Sequence, residues 1–224
     1  VRRLLERDLA IAQAYARPAL ASHADLHVAL ADILRERGDI EAVAHHLEAA
    51  RDLGDAASLP ENRFRWYAVR ADLLAATGGP VGALAMLDRA EQLHLPGFLP
   101  DLQPLPARRA RMLLRVGRID EARAWARERG IQTGDATAYR SEYDRLTSAR
   151  LFLAEGGSGL GAGVELLDRL LTAAEAAGRV GSVIDALVVR ALIHRALGNT
   201  AAAVRDLARA LMLGATAGWQ RIYL

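Results

Sequence analysis

Apolar residues recur along the chain at the three- and four-residue spacing of amphipathic helices, and a glycine interrupts each such run. The interruptions are Arg37-Gly38-Asp39, Thr77-Gly78-Gly79, Val116-Gly117-Arg118, Glu155-Gly156-Gly157 and Leu197-Gly198-Asn199. Successive glycines are 40, 39, 39 and 42 residues apart, the period of stacked helical hairpins. The pattern predicts helix pairs at 22–37/40–53, 60–77/80–93, 106–116/119–129, 136–155/162–177 and 180–197/200–213. A leading helix over 2–16 is stopped by Pro18.

Four of the five units keep offsets of five, nine and twelve residues after the glycine: Val43, Leu47, Ala50; Ala83, Leu87, Ala90; Ala122, Ala126, Arg129; and Ala203, Leu207, Ala210. These offsets fall on one helix face, where small side chains let the second helix of a hairpin approach the first. Arg129 makes the third unit the poorest fit. Pro60, Pro80 and Pro106 sit at helix starts, where a missing N–H costs nothing. The expected fold is all-α: a right-handed superhelix of stacked antiparallel helix hairpins, tetratricopeptide-like, with a period of about 40 residues. Residues 1–20 form a leading helix or the end of a preceding domain, and 21–224 form the repeat array.

Two connections depart from the period. Leu95 to Pro106 carries four prolines and is expected to be an extended crossover. Gly156 to Gly163 is nearly all Gly, Ser and Leu. It does not give G-x-G-x-x-G after a strand, so a flexible hairpin loop is expected rather than a phosphate cradle.

Composition narrows the function classes. All 29 basic residues are arginine, so the pI of 9.4 comes with a formal charge of only +2 and is no sign of nucleic-acid binding. With no cysteine there is no disulfide framework, thiolate metal site or cysteine nucleophile. Apolar runs are short and broken by Arg, Asp and Gly, so no signal peptide or membrane span is expected and the expected compartment is the cytoplasm. A start at Val1 and an end at Tyr223-Leu224 suggest a piece of a longer chain.

Several stretches carry a family likeness: Gly117-Arg118-Ile119-Asp120-Glu121-Ala122-Arg123-Ala124-Trp125-Ala126-Arg127-Glu128-Arg129-Gly130, then Tyr139-Arg140-Ser141-Glu142-Tyr143 and Leu146-Thr147-Ser148-Ala149-Arg150-Leu151. Leu166-Leu167-Asp168-Arg169-Leu170-Leu171 through Ala177-Gly178-Arg179, Ala208-Arg209-Ala210-Leu211 and Gly218-Trp219-Gln220-Arg221 extend it. Over 107–224 the chain resembles the tetratricopeptide-like repeat domain of the MalT-like, large ATP-binding regulators of the LuxR class. Before that, only the period supports the likeness. The resemblance implies an upstream P-loop ATPase, a helical superhelix that receives an inducer, a downstream helix-turn-helix, and self-association of the full-length protein. A Walker A loop needs a lysine, so ATP is expected only in a separate upstream domain and no cofactor in this segment. The DNA-binding domain would follow Leu224, leaving this segment without direct nucleic-acid contact, and no membrane contact is expected.

Candidate chemistry is sparse. His23 and His27 stand four apart on one helix but lack a third ligand, and His45-His46 diverge as neighbours, so no metal is expected. No G-x-S-x-G or other nucleophile motif is present, and an enzyme is not expected. Arg108, Arg109, Arg111, Arg115, Arg118, Arg123, Arg127 and Arg129 face only Asp120, Glu121 and Glu128. Of these, Arg108, Arg111 and Arg115 are the candidates for an anion or domain contact, against a solvated, salt-bridged face. First helices of such hairpins line the concave surface. Arg63, Trp66, Tyr67 and Arg70 on one, and Tyr139, Glu142 and Tyr143 on another, are candidates for binding a ligand or partner there; packing between repeats is the competing use. Phe64 and Trp125 are assigned to packing. The functional expectation is an inducer-sensing, domain-coupling repeat segment of a bacterial ATP-dependent transcriptional activator, binding a small-molecule inducer or a protein domain. The alternative is a stand-alone protein-interaction scaffold.

Overall fold

The computed structural model describes residues 1–14, 22–97, 102–130 and 139–218, and every regular element among them is helical. Helices α1 (Arg2–Ala14), α2 (His23–Glu36), α3 (Ile40–Leu53), α4 (Arg63–Ala76) and α5 (Pro80–Leu93) lie in one compact unit, Val1–Leu99. Helices α6 (Leu105–Arg115), α7 (Ile119–Glu128), α8 (Glu142–Glu155), α9 (Gly159–Ala176), α10 (Val180–Ala196) and α11 (Thr200–Ala217) lie in a second, Pro100–Leu224. The division falls in the proline-bearing connection. Helix α1 packs on α2 within the first unit. The ends of the predicted leading helix beyond Ala14, Pro18, residues 136–138 and the Trp219-Gln220-Arg221 motif lie outside the described residues.

The two-residue hairpin links follow from the sequence Gly-Asp or Gly-Asn. Gly38 takes φ 75°, and its N–H and that of Asp39 close α2 on the carbonyls of Arg35 (3.0 Å) and Leu34 (3.2 Å). Asp39 then opens α3 by accepting the Ala42 N–H at 3.2 Å. Gly198 (φ 77°) and Asn199 repeat this between α10 and α11, Asn199 donating to His194 at 2.8 Å and accepting from Ala202 at 3.3 Å. One residue thus ends one helix and starts the next, which is why the hairpins are tight and antiparallel.

In the first unit the core gathers Ala24, Val28, Ala31 and Leu34 of α2, Val43, Leu47 and Ala50 of α3, and Val69 and Leu73 of α4. Here the predicted register holds: Val43, Leu47, Ala83, Leu87 and Ala90 are fully buried. In the second unit α8, α9 and α10 enclose Leu146, Leu166, Leu167, Leu170, Ile184, Leu187, Val189 and Ile193. Within the first unit α4 packs on α5, α2 and α3, and within the second α8 packs on α9, α10, α6 and α7.

Two local expectations are corrected. Helix α9 begins at Gly159, so the glycine-rich stretch is a loop only over 156–158. Gly163 is buried inside the helix, where a Cβ would stand 2.9 Å from Ile193 Cδ1 and 3.3 Å from Phe152 Cβ. Its missing side chain lets α9 sit close against α8 and α10. On α11 the inward residues are Ala202, Asp206 and Ala210 rather than Ala203, Leu207 and Ala210, and Leu207 is exposed. Arg190 of α10 holds Asp206 through Nε and Nη2, each at 2.7 Å, and this pair sets the helix face.

Candidate functional site

In the second unit, α8 packs between α6 and α10. Arg111 of α6 reaches past α8 to Asp185 of α10, Nη2 to Oδ2 at 3.3 Å. The network therefore ties the two first helices that flank α8 to each other along one face.

Local geometry fixes the members. Thr147, inside α8, donates its hydroxyl to the Tyr143 carbonyl at 2.8 Å and accepts from Arg111 Nε at 2.9 Å. The Arg111 guanidinium lies over the Tyr143 ring, 3.8 Å from its centroid, a cation–π contact. Arg150, one turn beyond Thr147, pairs with the other oxygen of Asp185. Burial works against the Asp185 charge, but Arg150 and Arg111 together hold its carboxyl below the usual range. Burial also pulls Arg150 below the ordinary arginine value; Asp185 opposes this and the neighbouring Arg111 adds to it.

A second ion pair lies at the start of α8. Glu142 is buried and accepts from Arg179 Nε (3.0 Å) and Nη2 (2.8 Å), while that guanidinium lies 5.2 Å from the ring of half-exposed Tyr139. Asp144 pairs with Arg129 at 2.8 Å. Of the residues named from sequence, Tyr139, Glu142, Tyr143 and Arg111 thus belong to paired clusters on α8 and its neighbours. Arg108 is buried and Arg115 exposed, on the same face of α6 as Arg111. Trp125 is buried in packing with Ala107, Ala110 and Tyr143.

The four candidates on α4 are used differently. Trp66 donates its indole N–H to the Leu47 carbonyl at 2.8 Å and packs on the α2/α3 core, so it joins one hairpin to the next. Tyr67 meets Trp66 edge-on with centroids 5.0 Å apart. Arg63 donates to the Asp55 carbonyl at 3.0 Å, and Arg70 is half-buried. Phe64 packs edge-on against His94.

Sequence reasoning missed Thr147, Arg150, Arg179 and Asp185 because their partners lie 35 or more residues away. One signal was available: Asp185 is the lone charge in the apolar run Val183 to Val189. It also missed a histidine cluster. His23 stacks on His27, His27 Nδ1 meets His46 Nδ1 at 2.8 Å, and His45 lies beside His46. Gln13, His23, His27, His45, Ala49, Asp52 and Leu53 line an open pocket of about 350 Å³ there. Burial, then His46, His23 and His45, push His27 down to about 4, and burial lowers His46 too. Among the described residues no three histidine or acidic side chains are grouped so as to hold a metal ion.

The family model described as the MalT-like TPR region matches residues 2–224. No curated protein shows significant sequence similarity to the chain. Among solved structures, BtubC (BKLC) from P. vanneervenii is similar in fold, with a TM-score of 0.60 at 14% identity, covering 98% of this chain and 92% of that one.

Proposed function

We propose that this chain, which belongs to the family of MalT-like TPR regions, is the effector-sensing and domain-coupling repeat segment of a bacterial ATP-dependent transcriptional activator. It binds a small-molecule effector or a partner domain on its concave face, at the surface that α6, α8 and α10 share. ATP hydrolysis and DNA reading belong to separate domains, and the segment acts in the cytoplasm. Among the described residues no helix is long and apolar enough to cross a membrane.

The observation that carries this reading is the Arg111–Thr147–Arg150–Asp185 network, which links three successive first helices across one face. Such a network couples local contact to shape. A ligand that exchanges one of these pairs for its own contact changes the relative stability of two packings of α6 against α10. The effect on neighbouring domains requires only that the ligand bind one packing more tightly than the other.

A thermal-shift screen against sugars, aromatic acids and other small catabolic substrates tests the proposal, since a ligand of the native state raises its melting temperature by mass action. The expected result is a dose-dependent rise with one chemical class, diminished by Tyr143→Ala. The reading fails if nothing in the screen binds and removal of the segment leaves regulation by the longer chain unchanged.

A further inference from the structure

Arg111 and Arg150 are two cations drawing on one carboxylate. Among the described residues Asp185 is the acid that pairs with either of them, one oxygen to each. The neighbouring acids are committed elsewhere, Glu142 to Arg179 and Asp144 to Arg129. The side chains are 17% and 28% exposed for the two arginines and 12% for the aspartate, so the surplus positive charge is largely withdrawn from water yet open on one side. A half-buried charge without a counter-charge is costly, and in such a place an oxyanion gains more from a guanidinium than it would in bulk solvent.

The donors are also held ready. The Arg111 guanidinium carbon stands over the Tyr143 ring, 3.8 Å from its centroid, and Thr147 holds its Nε, so the guanidinium is held in place before anything binds. Arg111 uses Nε and Nη2, leaving Nη1; Arg150 uses Nη2, and its buried Nε has no hydrogen-bond partner. Arg115, one turn along the same face of α6, is exposed and adds positive potential.

We infer that Arg111 and Arg150 form an anion clamp on the face shared by α6, α8 and α10, which takes a carboxylate or phosphate group of the ligand in place of, or beside, Asp185. This rests on the effector-binding reading above and assigns the chemical class that the effector carries. Asp185 is then the resident counter-ion that the ligand's anion competes with, so ligand binding and the α6–α10 link are coupled through the same two guanidinium groups.

The test is calorimetric titration of the full chain at constant ionic strength with inorganic phosphate, succinate and citrate, and with succinamide as the uncharged control. Phosphate and the carboxylates separate the two sources of oxyanion. Binding of one oxyanion class but not of succinamide is expected, weakened about tenfold by Arg150→Gln, a loss of about 1.4 kcal/mol. Asp185→Asn removes the competitor and should tighten binding several-fold, a gain that a merely structural aspartate would not give. Arg123→Gln, on α7, should leave it unchanged. If Arg150→Gln fails to fold, Arg150→Lys keeps the charge without the fork and should lie between it and the wild type. Equal anion binding by the wild type and the Arg150 variants, or weaker binding by Asp185→Asn, overturns the clamp. So does the absence of anion binding. Should an uncharged compound from the thermal-shift screen bind while no anion does, the clamp falls and the effector-binding reading stands.

Discussion

The Nδ1 atoms of His27 on α2 and His46 on α3 stand 2.8 Å apart, a separation that one shared proton satisfies and two protons cannot. His23 stacks on His27 with ring centroids 5.6 Å apart, and His45 flanks His46. Charging this group would set like charges together inside the α2/α3 packing, with Glu6 and Asp39 opposing the effect at His46 alone.

Stability should therefore depend on pH in a defined window. Unfolded, His27 titrates near 6.5; folded, it stays neutral down to about 4. Between these values the unfolded chain binds a proton that the folded chain does not. Stability is unaffected above pH 6.5 and declines as the pH falls toward about 4. Urea unfolding at half-unit steps from pH 7.5 to 4.5 should show this decline, with a shallower slope in His27→Leu. Parallel curves for the two proteins would remove His27 as the cause.

Gly198→Ala should destabilise the α10/α11 hairpin by about 1–2 kcal/mol, the cost of a side chain in the left-handed region. A Cβ there would meet nothing within 4 Å, so the backbone alone carries the effect. Asn199→Ala, which removes the cap on Ala202, should cost about 1 kcal/mol. Chemical denaturation of both variants measures this, and a neutral Gly198→Ala would contradict the geometry.

Two of the three glycines of α9, Gly161 and Gly163, should respond in opposite ways. Gly161 has open space around its Cβ position, so Gly161→Ala should stabilise the helix by about 0.5–1 kcal/mol. Gly163→Val would drive atoms into Phe152 and Ile193 and should destabilise by about 1–3 kcal/mol. A melting temperature that rises in both variants would mean that α9 is not packed this closely.

The fold was legible in the sequence because its determinants are local. A Gly followed by Asp or Asn closes one helix and caps the next, and Leu47 and Leu87 fall inward at the same offset from Gly38 and Gly78. Gly163 misled because a helical glycine that admits a neighbouring helix looks, in sequence, like one that makes a loop. The site was only partly legible. Tyr143 and Arg111 stood out by type and position, but what they touch is decided by Asp185, 74 residues from Arg111. Likewise the two histidine pairs carry no sign that α2 and α3 bring His27 to His46, since that contact depends on the rotation of both helices about their axes.

The same limit explains α11, and it supplies a further prediction. An apolar-face count placed Leu207 inward, yet Asp206 is 8% exposed and Leu207 is 42% exposed. The ion pair with Arg190 outweighs the leucine because both hydrogen bonds are short and its two groups are mostly shielded from water. These bonds lift Arg190 above the ordinary arginine range. Asp206→Ala leaves that guanidinium, among the described residues, with Asp168 as its acidic partner, whose side chain is 56% exposed. It should therefore destabilise the chain by about 1–3 kcal/mol, the range for hydrogen bonds to charged groups. Asp168→Ala should cost no more than about 1 kcal/mol, because an exposed pair is screened. Urea denaturation of the two variants decides the matter: equal losses would mean that Asp206 does not set the face of α11, whereas a clear excess for Asp206→Ala would identify it as the anchor of the last hairpin.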